Sequence, residues 1–384
     1  MNLIIKNHFS LLLILSCLCL NSCKAETPEK TGKDMSQVRD TSVAIETEVF
    51  AENLYVPWSL VFTDKDRLLV TERNGNLRVI LNGILQEKPL KTFDDVSAGG
   101  EEGLMGMTLD PDYANNKFIY ISYAYDNGDN LNVKVVRFKD EGEKLSGEKL
   151  IIDDIPAERY HAGCRIRFGP DGKLYITTGD AGERDLAQNR ENLYGKILRI
   201  NPDGTIPGDN PFPGNPVWSY GHRNPQGIDW YPGTDILFST EHGPSGFDGP
   251  GGGDEVNIIE KGGNYGWPVV SHKKSAEGMI SPVLEFTPAV APASGMFYRS
   301  DSIPGYKNNF FFGCLRGKGI VRVTVNDKNP TEIISFEKAD LGGIGRIRDI
   351  TEGPDGAIYF STSNRDGRGN VKEGDDKIYR ISKR

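Results

Sequence analysis

The chain has 384 residues, a formal net charge of −9 at pH 7, 26% charged and 37% hydrophobic residues. The acidic balance disfavours nucleic acid and anionic membrane surfaces as partners. Of five cysteines only Cys164 and Cys314 lie beyond residue 23, which excludes a disulfide scaffold.

In chain order, Lys6 and the apolar run Phe9 to Leu20 come first, a run too short to span a bilayer. It ends at Leu20-Asn21-Ser22-Cys23, a spacing that resembles a bacterial lipobox. Residues 1–22 are expected to be a lipoprotein-type signal peptide. Cys23 would then carry a lipid as the sole membrane attachment of an exported periplasmic or cell-envelope protein. Ordinary signal cleavage with an incidental Cys23 is the alternative. Residues 23–42 lack apolar periodicity and read as a flexible tether; residues 43–384 are expected to form one domain.

That domain shows short β-rich runs in pairs, punctuated by Gly, Pro, Asn and Asp. Arg67 to Arg73 turns through Asn74-Gly75 into Leu77 to Ile80. Lys117 to Tyr125 precedes Val133 to Phe138, and Lys173 to Asp180 precedes Lys196 to Ile200. Asp235 to Gly243 precedes Asp254 to Ile259, Asn309 to Gly317 precedes Gly319 to Val323, and Ala357 to Asn364 precedes Lys377 to Ile381. In five of the six modules the second run carries an Arg among apolar residues: Arg78, Arg137, Arg199, Arg322 and Arg380. Phe168-Gly-Pro-Asp-Gly172 and Glu352-Gly-Pro-Asp-Gly356 nearly repeat one another, each with a Pro-Asp-Gly turn. Repeated small sheets of this kind predict an all-β, six-bladed β-propeller. Val43 to Phe50 would supply the last blade's missing strand and close the ring; two β-sandwiches are the alternative.

The chemistry-bearing residues are scattered among the loops, as a propeller mouth requires. Arg159-Tyr-His-Ala-Gly-Cys-Arg165 contains His161, and Gly221-His-Arg-Asn-Pro-Gln-Gly227 is a dense polar turn. Arg346 and Arg348 stand at i and i+2, on one face if the segment is extended, a costly pairing unless an anion lies between them. Glu241-His-Gly-Pro244, Asp254-Glu255 and Gly262-Gly-Asn-Tyr-Gly-Trp-Pro268 offer carboxylates and turn carbonyls, hard oxygen donors that suit calcium. Taken singly, each admits a bland reading as a surface His, a solvated Arg or an exposed acidic loop.

Together with Val290-Ala-Pro-Ala-Ser294, these motifs resemble in order and spacing the soluble quinoprotein glucose dehydrogenases. The resemblance is closer to the aldose sugar dehydrogenases of the same superfamily, and it runs from Asn53 to Ser382. It implies oxidation of the C1 hydroxyl of aldoses to lactones by hydride transfer to bound pyrroloquinoline quinone (PQQ), with a soluble electron acceptor downstream. His161 would be the general base and Asp180 would orient it. Arg223, Asn224, Gln226, Arg346 and Arg348 would hold the quinone. The carbonyls of Gly243 and Pro244 would bind the calcium on PQQ, and Asp254, Glu255 and Tyr265 match a second, structural calcium site. The enzyme would work as a monomer or a dimer.

Three departures stand against the family pattern. Glu101 occupies a cofactor-side position where Gln is common, and its charge would repel an anionic cofactor unless paired. Arg316 stands in place of a cofactor-binding Lys. Thr287-Pro-Ala289 lacks the aromatic that the glucose enzymes carry over the sugar, which points to looser sugar recognition. A glycan- or protein-binding propeller without quinone and a calcium-dependent lactonase are the rival readings.

Overall fold

The computed structural model describes residues 43–128 and 130–384. The expected signal peptide, Cys23 and the tether lie outside the described residues. Almost every regular element is a strand, because Asn-Gly, Pro-Asp-Gly and similar turns stop each apolar run after one pass and return the chain antiparallel to itself.

The described chain opens with β1 (Ile45–Ala51). Blade 1 follows as β2 (Pro57–Phe62), β3 (Arg67–Glu72), β4 (Asn76–Leu81) and β5 (Ile84–Leu85), with β6 (Lys91–Thr92) also paired to β4. Blade 2 is β7 (Leu104–Leu109), β8 (Phe118–Asp126), β9 (Leu131–Asp140) and β10 (Leu145–Pro156). Blade 3 is β11 (Ile166–Phe168), β12 (Leu174–Thr178), β13 (Lys196–Ile200) and β14 (Val217–Tyr220). Blade 4 is β15 (Pro225–Trp230), β16 (Leu237–Glu241), β17 (Asp254–Ile259) and β18 (Leu284–Phe286). Blade 5 is β19 (Pro292–Phe297), β20 (Phe310–Cys314), β21 (Gly319–Asn326) and β22 (Asn329–Asp340). Blade 6 is β23 (Ile347–Glu352), β24 (Ile358–Thr362) and β25 (Ile378–Lys383). Its fourth strand is β1, paired antiparallel to β25 with Ile45 opposite Lys383. The first strand of the described chain thus closes the ring on the last, as its alternation predicts.

The paired runs seen in the sequence are the second and third strands of each blade. Six apolar clusters hold the ring, one at each junction between neighbouring blades. Each sheet therefore buries both faces, and hydrophobic burial ties blade to blade.

The recurrent Arg has a structural cause. In blade 3, Asp171 of the Pro-Asp-Gly turn accepts from the Tyr175 hydroxyl (3.1 Å) and Arg199 Nε (2.8 Å). In blade 6, Asp355 does the same with Tyr359 (3.2 Å) and Arg380 (2.9 Å). Tyr175 faces Arg199 and Tyr359 faces Arg380 in register. One carboxylate thereby pins the turn between the first two strands to the second and third. Blade 2 varies the device: Tyr120 donates to Asp110 (3.2 Å), while Arg137, opposite Tyr120, lies 4.0 Å over the Phe118 ring.

Cys164 and Cys314 are free and buried. Burial raises both thiols, that of Cys314 to about 12, so neither has thiolate character near neutral pH.

Candidate active site

The segments entering the innermost strands converge on one cavity of about 610 Å³. Glu101 precedes β7, His161 precedes β11, Arg223 precedes β15, Ala291 precedes β19 and Arg346 precedes β23, and all five line it. Residues 55 to 245 positions apart in sequence meet because blades 2 to 6 each deliver one such segment to the same end of the ring.

His161 is buried and has a left-handed backbone (φ 54°). The chain passes so close to β12 that a methyl on Gly179 would lie 1.6 Å from the His161 carbonyl oxygen. This approach sets His161 Nδ1 2.7 Å from Asp180 Oδ1. Asp180 also accepts from Gly182 N (2.9 Å) and, through Oδ2, from Trp267 Nε1 (2.8 Å). The imidazole is thus anchored on a buried carboxylate with three donors around it. No described residue bonds Nε2, and the ring lines the cavity. A histidine held in this way can accept a proton at Nε2.

Five guanidiniums line the same cavity: Arg223, Arg316, Arg346, Arg348 and Arg368. Arg223 Nε pairs with Asp248 (2.7 Å) and Arg346 Nε with Asp366 (2.8 Å). Arg348 is buried, and that burial pushes its guanidinium down to about 10. Its Nη1 reaches Gln226 Oε1 at 3.3 Å, and its Nε has no partner. The Asn224 side-chain oxygen accepts from Gly163 N (3.2 Å) and Gln226 Nε2 (3.0 Å), leaving Nδ2 buried and unpartnered. Arg316 is exposed at the rim. The cost of Arg346 beside Arg348 is met in part by Asp366, whose carboxyl both guanidiniums hold down against the opposing effect of burial. The counter-anion expected between them is therefore partly protein.

Glu101 is paired as well. Burial alone would raise its carboxyl, but His242, Arg368 and His161 outweigh that and hold it at about 2. Arg368 Nη1 lies 2.5 Å from its Oε1. The repulsion that its sequence position suggests is thereby cancelled from blade 6.

Gly243 and Pro244 line the cavity, and the Pro244 carbonyl accepts from Gly252 N (3.2 Å). Asp254 lines it too, accepting from Gly243 N (2.8 Å), Val290 N and Ala291 N (both 2.7 Å). Glu255, next along the strand, points to the other face, opposite Glu241 and Glu285 in register. Burial and then Glu241 push its carboxyl up to about 8. Tyr265 stacks on His222 (4.7 Å) and gives its hydroxyl to Ile258 O (2.6 Å). Asp254 and Glu255 thus do not share one cluster, and the expected second calcium set is divided: Glu255 keeps acidic neighbours, while Asp254 braces the cavity wall.

The sequence reading missed several residues of the wall. His242 donates through Nε2 to Pro292 O (2.9 Å) and is pushed down to about 4, mainly by burial. Arg368, Tyr160 and Phe247 also line the cavity. Trp267, His242 and Tyr160 lie inside the sequence motifs, but nothing in those motifs assigns them a partner.

The donor set fits a multiply carboxylated cofactor: five guanidiniums against the carboxylates of Glu101 and Asp254, with two buried polar nitrogens unpartnered. Calcium takes oxygen donors of the kind that the backbone of the lining residues Gly243 and Pro244 carries.

An aldose sugar dehydrogenase of Escherichia coli (strain K12), YliI, is 34% identical over 347 residues, 84% of this chain and 91% of that protein. The PQQ-bound form of an aldose sugar dehydrogenase from Streptomyces coelicolor superposes with a TM-score of 0.77 at 33% identity, over 89% of this chain and 99% of that one. The apo-form of the soluble aldose sugar dehydrogenase from Escherichia coli gives 0.77 at 31% identity, over 89% and 100%. Residues 54–378 match the family model described as Glucose / Sorbosone dehydrogenase, and the chain is an oxidoreductase belonging to that family.

Proposed function

We propose that the protein oxidises the C1 hydroxyl of aldose sugars to lactones, with PQQ as cofactor and calcium as its Lewis acid. The observation that carries this reading is the His161–Asp180 pair, Nε2 unbonded, in a cavity rimmed by five guanidiniums. When bound, PQQ would supply the two-electron acceptor for the hydride from C1, polarised by calcium. Arg223, Arg346 and Arg348, with Arg316 at the rim and the amides of Asn224 and Gln226, would hold its carboxylates. The carbonyls of Gly243 and Pro244 would hold the calcium. Asp180 keeps the Nδ1 proton in place, so Nε2 is the lone-pair nitrogen that takes the proton of the anomeric hydroxyl. The imidazolium that results is stabilised by the same carboxylate.

Arg368 on Glu101 answers the objection that favoured a propeller without quinone. A guanidinium-lined cavity is the opposite of what a carboxylate-held lactonase calcium needs. We also infer export and acylation of Cys23 from the leader; intact mass of membrane-extracted protein tests this, and an unmodified chain starting elsewhere refutes it. A second, structural calcium is proposed at Glu255 and its acidic neighbours. For the activity, apo-protein is reconstituted with PQQ and calcium and assayed for aldose-dependent dye reduction. No reduction with any aldose would overturn the reading. In His161→Gln, PQQ binding should persist while the single-turnover rate falls by about 10² to 10⁴.

A further inference from the structure

Beside His161 the cavity has an aromatic wall that neither the fold nor the proton transfer requires. Tyr160 lies edge-on to the His161 ring at 4.9 Å and to Phe247 at 6.0 Å. Phe247 is nearly parallel to the imidazole, 6.3 Å away with 18° between planes. Both aromatics line the cavity, yet Phe247 is 71% exposed. Among the exposed large hydrophobic residues described, Phe247 is the one that lines this cavity, and it does so beside the His161 ring.

Phe247 is held there rather than left to drift. It sits in the glycine-rich segment between β16 and β17, and its neighbour Asp248 is fixed on both sides. Asp248 Oδ2 pairs with Arg223 Nε at 2.7 Å and Oδ1 accepts from Ser245 N at 2.8 Å. Arg184 Nη1 donates to the Asp248 carbonyl at 3.2 Å. The far end of the segment rests on Thr287. Gly253 N donates to Thr287 Oγ1 at 2.9 Å, and a methyl on Gly252 would lie 2.6 Å from that oxygen. The Thr287 to Ala289 stretch, which has no aromatic of its own, braces the segment that does. The rest of that wall is small, with Ala289 and Ala291 lining the cavity.

We propose that Phe247, backed by Tyr160, is the sugar-positioning wall of this protein, taking the apolar C–H face of an aldopyranose and presenting its C1 hydroxyl to His161 Nε2. This rests on the aldose reading above and adds to it the residue that recognises the sugar ring. Aromatic rings bind such faces through burial and through the negative potential over the ring, with little hydrogen-bond discrimination among sugars. Because Asp248 ties the segment to Arg223, the wall is coupled to the cofactor's bed.

The test compares Phe247→Ala and Phe247→Tyr with wild type, each reconstituted with PQQ and calcium. In Phe247→Ala, KM for the best aldose should rise about tenfold with kcat within about twofold, and Phe247→Tyr should restore KM. PQQ titration should be unchanged in both. A second readout needs no turnover: in anaerobic, reduced holoenzyme, saturation of aromatic protons should transfer to the sugar's C–H protons in wild type and fade in Phe247→Ala. Wild-type activity with unchanged KM and unchanged transfer in Phe247→Ala overturns the wall and leaves the aldose reading standing. A wild-type holoenzyme inactive with every aldose overturns both. Because Phe247 contributes little core packing, melting curves of the variants should match wild type, and a lower melting point in Phe247→Ala would assign the ring a structural role instead.

Discussion

Asp180→Asn discriminates most sharply between a catalytic and a structural His161. In the native protein Asp180 faces three donors: His161 Nδ1 (2.7 Å), Gly182 N (2.9 Å) and Trp267 Nε1 (2.8 Å). An asparagine offers one oxygen and one NH2 group, so it cannot accept from both ends. With its oxygen toward His161 and Gly182, its NH2 confronts the Trp267 N–H, and buried donors face each other. Leaving such a group unsatisfied costs about 1–3 kcal/mol. With the amide reversed, the NH2 faces His161 and forces Nδ1 to accept. The ring proton then moves to Nε2, the atom that has to take the sugar's proton. Either arrangement removes the carboxylate that stabilises the imidazolium, and the second also removes the base. The chemical step should therefore slow by about 10² or more, within the range of a positioned proton acceptor. The melting temperature should fall by about 2–4 °C for each kcal/mol lost. The assay is anaerobic stopped-flow reduction of bound PQQ by sugar, with PQQ affinity measured in parallel. A rate within about threefold of wild type, alongside a lowered melting point, would leave Asp180 as a structural anchor and refute the mechanism.

Arg348→Ala should weaken PQQ binding by about 2–5 kcal/mol in titrations of apo-protein, the cost of truncating one side of a buried charged contact. Arg346→Ala should weaken it too, partly by freeing Asp366, so adding Asp366→Asn should recover some affinity; unchanged affinity in both single variants would remove the pair from the site. Chelation should abolish dye reduction and lower the melting temperature, because an ion that binds only the native state stabilises it by mass action. Superimposable melting curves with calcium and with chelator would count against the structural site. Relative kcat/KM for glucose, galactose, xylose and maltose should differ modestly, and a preference for glucose alone beyond about 100-fold, on the order of 3 kcal/mol, would contradict a wall built on ring stacking. Glu101, held near 2 against an ordinary 4.5, contributes stability above about pH 4.5 that is lost as the pH falls toward 2. Arg368→Ala should thus melt slightly lower than wild type at pH 6, with the gap closing below about pH 3; a constant gap would mean that the ion pair is not its source.

Much of this architecture was legible because its physics is local. Hairpin turns, alternating runs and the Pro-Asp-Gly repeat disclosed the second and third strands, and the alternation of Val43 to Phe50 disclosed the closing strand. The innermost strands stayed hidden. Segments such as Pro225–Trp230 and Pro292–Phe297 carry Pro, Gly and polar residues because they line a crowded, polar channel, which erases the alternation that marks a strand. The same limit applies to the site. His161, Asp180 and the arginines lay within motifs, and the cavity gathers them. Partners such as Arg368 for Glu101 or Trp267 for Asp180, 267 and 87 residues apart, are set by ring closure and blade stacking, which no local pattern encodes. Asp254 and Glu255 illustrate the converse. They are adjacent in sequence and for that reason on opposite faces of β17, so one acidic dipeptide serves two regions.

The pairing of the arginines also explains how the bed for an anion can exist before the anion arrives. Of the five guanidiniums around the cavity, the buried Arg223, Arg346 and Arg348 would repel strongly if left bare, since desolvation leaves their charges poorly screened. Arg223 leans on Asp248, Arg346 on Asp366 and Arg368 on Glu101, each carboxylate contributed by a loop different from that of the arginine it holds. Arg348 hydrogen-bonds the Gln226 oxygen and meets Asp366 only through space, while burial lowers its guanidinium to about 10 and leaves it charged near neutral pH. The carboxylates fix the orientation of three forks without using all their N–H groups, so an anionic ligand meets donors already aimed. Arg348, desolvated and with Nε unpartnered, has the most to gain from that ligand. Affinity should therefore depend more on Arg348 than on the arginines that the protein has already partnered, and the ranking of the single variants, Arg348→Ala weaker than Arg223→Ala, follows from the unpartnered Nε of Arg348 against the Asp248-paired Arg223, which is at least as buried.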